Sequence, residues 1–191
     1  MKWLIVQLPR YLAWSGGIFV AGVVLGVGAY LFLPGTSRLV ISELAAFAHG
    51  ALDGSALEIV LFLFMNNAVK ALGAMIFGVL FAIAPVAFLL VNGFVVGLVF
   101  SYATALAGPS LVLASLLPHG VIELPAMLVA AALGLLLGVH FVRRIRRETE
   151  VPITKPLILS ARLFIVYLIP LFLVAAVLEV YVTPAFVALL S

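Results

Sequence analysis

The chain has no cysteine and little charge: Asp, Glu, Lys and Arg make up 9% of its 191 residues, against 66% that are hydrophobic. The missing cysteines exclude a disulfide, a thiolate metal site and a thiol nucleophile, and they leave the redox compartment unreadable. The scarcity of charge excludes a water-soluble domain, because a mean hydropathy of +1.40 leaves too few polar groups to cover a folded surface. Lys and Arg outnumber Asp and Glu, for a net charge of +3. Most of these cations lie at the edges of apolar runs, where lipid headgroups and topology account for them, so no nucleic-acid partner is expected. Glycine-rich phosphate loops, Ser-His-Asp arrangements and His-Glu-x-x-His zinc motifs are also missing. His49 and His140 lack a nearby acidic ligand pattern. The expectation is a protein that is not an enzyme and carries no cofactor or metal.

What is present is an all-α integral membrane protein in a single domain, residues 1–191. A crossing helix needs about 20 apolar residues, and five such runs predict a bundle: TM1 at 11–33, TM2 at 66–84, TM3 at 86–107, TM4 at 119–142 and TM5 at 157–182. The TM2/TM3 turn falls at Ala84-Pro85, with Asn92-Gly93 as the other place for it. Residues 36–56 form an external loop whose segment Arg38 to His49 reads as a short amphipathic helix bounded by Gly50. Residues 143–156 form a basic loop. The positive-inside bias orients the bundle: with the N-terminus cytoplasmic, Lys2, Arg10, Arg143, Arg144, Arg146, Arg147, Lys155 and Arg162 share the inner side and the C-terminal Ser191 is outside. Membrane lipids are the first partners implied, and the cell membrane, crossed several times, is the expected location.

Two apolar segments are too short to cross alone, 57–65 before Asn66-Asn67 and 110–117 before Pro118-His119. At about 1.5 Å per residue each is a half-helix that lies in the interface, re-enters, or extends the helix that follows. Their similar surroundings suggest a tandem repeat of half-helix, inward span and outward span. Small residues at i+4 spacing mark close helix packing: Gly22 with Gly26, Gly93 with Gly97, and the ridge Ala126, Ala130, Gly134, Gly138. The ridge makes TM4 central. Packing within the chain is the default, with a homo-oligomer through TM1 as the other use of a glycine pair.

The polar residues inside the spans are the candidate site. His119 and Glu123 stand four apart and share a helix face. An ionisable residue within a membrane span costs several kcal/mol unless paired or hydrated. The predicted topology gathers Asn66, Asn67, Lys70, Asn92, His119, Glu123 and Glu179 into one buried polar cluster, with the Lys70 ammonium facing Glu123 or Glu179. The plainer reading is open beside it: Lys70 snorkels outward, Glu179 sits in headgroups, and the asparagines join helices by hydrogen bonds worth about 1 kcal/mol.

Asn66-Asn67, Asn92-Gly93 with Gly97, the block Pro118-His119-Gly120-Val121-Ile122-Glu123-Leu124 with Ala130 and Gly134, and Ala175 to Pro184 resemble the signature of the stage II sporulation protein M family. The resemblance runs from about residue 60 to 184, and Asn67, Asn92, His119, Glu123 and Glu179 match its motif positions. It implies a small polytopic membrane protein that serves as a scaffold for an envelope or membrane-remodelling complex, with other membrane or envelope proteins as partners. Its named member acts with a cell-wall-degrading complex during spore engulfment, whereas many members occur where no spores are made. A transporter, channel or lipid-moving protein that uses the Lys/His/Glu/Asn cluster is the competing reading.

Overall fold

The computed structural model describes residues 2–189, without the side chains of residues 2–5, 48, 51 and 52; Ser191, expected outside, lies beyond the described residues. Six helices follow one another: α1 (Lys2–Phe32), α2 (Pro34–Leu52), α3 (Ala56–Phe77), α4 (Ile83–Ala107), α5 (Pro109–Ile145) and α6 (Thr154–Ala188). All but α2 are long and apolar enough to cross a membrane, and no strand occurs among the described residues. Large apolar side chains such as Val24, Val69, Val91, Ile165 and Val174 point outward along these helices. That is the arrangement a hydrocarbon solvent favours and water does not.

The two expected half-helices are not separate elements. Residues 57–65 form the first turns of α3, and 110–117 the first turns of α5. Helix α3 starts early because Ser55 and Glu58 close a capping box, in which the Ser55 hydroxyl accepts from the Glu58 amide at 3.4 Å and the Glu58 carboxylate accepts from the Ser55 amide at 2.7 Å. Helix α5 starts at Pro109, after Gly108 takes φ 82°, and it continues through Pro118 and Pro125. Each internal proline removes one helical hydrogen bond, yet the helix runs on unbroken through both. The TM2/TM3 turn also falls earlier than Ala84-Pro85. It spans residues 78–82, with Phe81 and Ala82 in the left-handed region at φ 55° and 60°. Pro85 instead enters the first turn of α4, where its missing N–H leaves no bond unmade.

Helix α5 is the axis, with an unbroken run of buried residues from Ala130 to Gly138, and α1, α3, α4 and α6 pack around it. Glycine lets the backbones meet. A Cβ on Gly22 would lie 2.6 Å from the Leu90 carbonyl oxygen of α4, and Cβ atoms on Gly26, Gly93 and Gly97 would collide with the Phe94, Phe19 and Val23 carbonyls. Gly134 faces Ala74 and Gly78 across the α3–α5 contact, while Gly138 meets Gly78 and Ala82 at the α3–α4 turn. Without a hydrophobic drive between helices in lipid, such close backbone contact supplies the van der Waals attraction that holds them. Phe164, Phe172, Leu168 and Met75 fill the seam between α3, α5 and α6.

Helix α6 contains two π-helical turns, Phe164–Leu168 and Leu178–Val182, each ending two residues before a proline, Pro170 and Pro184. A proline ring clashes with the carbonyl four residues back and offers no N–H. Widening the helix by a π turn relieves that conflict, and such turns recur at functional sites.

Candidate functional site

Two places in the chain supply a trio of ionisable groups: α5 just after Pro118, and the second π turn of α6. His119 and Glu123 project from the same face of α5, and Glu179 comes from the π turn, where Thr183 donates a hydrogen bond to the Leu178 carbonyl at 3.3 Å. One donor atom from each of His119, Glu123 and Glu179 lies within 4.8 Å of the other two. All three residues are half-buried. No hydrogen bond or ion pair joins them among the described residues, and His119 Nδ1 is buried without a partner. These are the residue types that ligate divalent cations.

On one side of this trio is an open cleft of about 500 Å³ lined by Ile59, Leu63, Ser115, Leu116, His119, Glu179 and Thr183. On the other, Glu123 borders a cavity of about 10 Å³, which it shares with Asn67, Lys70, Asn92, Phe88, Met127 and Phe172. Side chains from α3, α4, α5 and α6 therefore surround one small polar space. The amides are tied locally: Asn66 Nδ2 donates to Asn67 Oδ1 at 3.1 Å, and Asn92 Nδ2 donates to the Phe88 carbonyl at 2.7 Å.

Lys70 departs from its expected role. It borders the small cavity, but it is exposed and makes no ion pair with Glu123 or Glu179. A long apolar stem lets a lysine reach the surface, and an ammonium held in a space of about 10 Å³ would be desolvated. Helix periodicity identified His119 with Glu123. Topology placed Glu179 at the same end of the bundle, and the π turn from which it projects is signalled in the sequence by Pro184. The two remaining histidines lie elsewhere: His49 is exposed on α2, and His140 is buried and lies 3.0 Å from the Val151 carbonyl.

The opposite end of the bundle is basic. Arg10 lies beside Tyr11, Leu135 and Val139, and Arg143 and Arg146 border a cleft with Phe81, Ala82 and Gly138. The ion pairs there, Arg143 with Glu148 at 3.8 Å and Arg144 with Glu150 at 3.6 Å, are exposed and worth little to stability.

Comparison with known proteins places this arrangement among relatives. The model of a family described as stage II sporulation protein M matches residues 14–184, which adds most of α1 and all of α2 to the stretch that the motifs covered. An uncharacterized protein of Methanocaldococcus jannaschii is 30% identical over 122 residues, or 63% of this chain and 68% of that relative. No solved structure matches the chain.

Proposed function

The chain belongs to the stage II sporulation protein M family, and from that membership we propose that it is a non-enzymatic, multi-pass scaffold of the cell membrane that assembles other membrane or envelope proteins. In this reading the N-terminus and the arginines at 143–147 are cytoplasmic, following the positive-inside bias. Helix α2, the α3 start and the cleft beside His119 then face outward. The observation that carries the reading is the size of the inner cavity. Polar side chains of α3, α4 and α5, with the Phe172 ring of α6, close on about 10 Å³, room for about one water, so in this reading the cluster fixes how the helices meet and does not line a pore. The outward face has apolar side chains with which to hold a partner, Leu39 and Phe47 of α2 being 69% and 59% exposed.

Cross-linking in native membranes, with mass-spectrometric identification of captured envelope proteins, tests this reading. Capture is expected to fall when Leu39→Arg and Phe47→Arg are introduced together, while proteoliposomes show no flux of ions, protons or fluorescent lipid. A transporter is the second reading, and one observation favours it: the 500 Å³ cleft reaches His119 and Glu179 from outside the bundle. Flux in wild-type proteoliposomes that Glu123→Gln abolishes would replace the scaffold with a transporter.

A further inference from the structure

We propose that His119, Glu123 and Glu179 form a binding site for one first-row divalent cation, with Zn²⁺ and Mn²⁺ as its chemical class. The proposal is independent of the scaffold reading. It rests first on geometry. Zinc-to-ligand distances of about 2.0–2.2 Å in a tetrahedral shell put two ligands of one ion about 3.4 Å apart, and the three donor atoms here already lie within 4.8 Å of each other. Side-chain adjustments of about 1 Å or less close the set on an ion.

The second ground is the unmet bonding of the histidine. A buried ring nitrogen with no partner is rare, and His119 Nδ1 is one. Neither carboxylate is joined to it by a hydrogen bond or ion pair among the described residues, and Lys70 beside Glu123 supplies no ion pair. Two carboxylates at one place in an apolar bundle repel one another, and each is expensive to desolvate. A divalent cation compensates both charges at once, and a neutral imidazole completes the ligands without adding charge.

The donor set selects among metals. Two carboxylates alone suit Mg²⁺ or Ca²⁺, while an imidazole shifts preference towards zinc, manganese and iron. Three protein ligands leave coordination positions open, and the cleft on which His119 and Glu179 border can supply water to them. The site joins α5 to the second π turn of α6. The ion would fix that widened turn against α5, which is a structural use for a π segment that otherwise weakens the helix.

The test uses the full chain, purified in detergent with any histidine tag removed and stripped with EDTA. Calorimetric titration with ZnCl₂ and, separately, with MnCl₂ is expected to show one ion per chain. Glu179→Gln and Glu123→Gln are each expected to weaken binding by at least about 100-fold, since loss of groups behind the ligands alone costs 10–100-fold. His49→Ala, in the exposed α2 histidine, is expected to change nothing. Because a variant can lose binding by failing to fold, X-ray absorption at the zinc edge of the wild-type protein gives an independent readout, expected to show a nitrogen and oxygen shell with one imidazole. Absence of stoichiometric binding, unchanged affinity in both glutamine variants, or a shell with two or more imidazoles would overturn the proposal. Tighter binding of Mg²⁺ than of Zn²⁺ would overturn its assignment of the metal class.

Discussion

Replacing Gly134 by alanine tests the packing on which every other feature depends. The added Cβ would lie 2.6 Å from the Ala74 carbonyl oxygen, 3.1 Å from Met75 Cα and 3.2 Å from Pro85 Cβ. Ordinary contact begins near 3.4 Å, so α3 must retreat from α5 by about 0.8 Å. Two of the three obstacles belong to the α3 backbone, and no side-chain rotation relieves them. Overpacking a well-filled interior costs about 1–3 kcal/mol. The upper half of that range applies here, because Gly78, just after α3, also meets Gly134, and the retreat must carry that contact with it. Gly16 is the control: a Cβ there meets nothing within 4 Å, so Gly16→Ala should gain up to about 1 kcal/mol from helix propensity. Reversible unfolding in mixed micelles, titrated with a denaturing detergent and followed by far-UV circular dichroism, gives both values. The two substitutions are expected to shift stability in opposite directions. If Gly134→Ala matches the wild type, or if Gly16→Ala is equally damaging, close backbone contact is not what holds α3 to α5.

Other outcomes follow from single contacts. Ser55→Ala breaks the capping box and should lower stability by about 1 kcal/mol, read from the same unfolding curves, with hydrogen exchange rising in the first turn of α3. Phe172→Ala removes a ring that is 2% exposed at the α3–α5–α6 seam and should cost about 3–5 kcal/mol, enough to lower the yield of folded protein. The natural absence of cysteine makes topology directly readable: in intact cells an impermeant maleimide should label Asp53→Cys and leave Glu150→Cys unlabelled until the membrane is opened, and the reverse pattern would invert the proposed orientation.

The five helices long and apolar enough to cross a membrane were legible because each contains an apolar run of sufficient length between charged or turn-forming residues. The i+4 glycines were legible as close-packing positions for the same kind of local reason. Gly22 and Gly26 do face α4, and Gly134 faces α3. Of the three readings open for 57–65 and 110–117, the structure has the one in which each extends the helix that follows; Asn66-Asn67 and Pro118-His119 look like breaks only in a linear text. In the fold those amides bond to each other within their own helix, and the proline costs a single hydrogen bond in a helix that continues past it. Turn placement failed at Ala84-Pro85 because a left-handed turn at Phe81 and Ala82 has no glycine or asparagine to announce it.

Composition and periodicity alone determined that the chain is helical and apolar, that it offers five crossings, and that His119 shares a face with Glu123. These follow from solvent preference and from the 3.6-residue repeat, both local properties of the chain. Topology places Glu179 at the same end of the bundle; tertiary structure alone decided that it comes within 4.8 Å of that pair, that Lys70 makes no ion pair with them, and that the inner cavity admits about one water. Those outcomes depend on the rotation and depth of each helix against its neighbours. In lipid that register is set by backbone contact at glycines and by the π turn before Pro184, where no side-chain pattern records it.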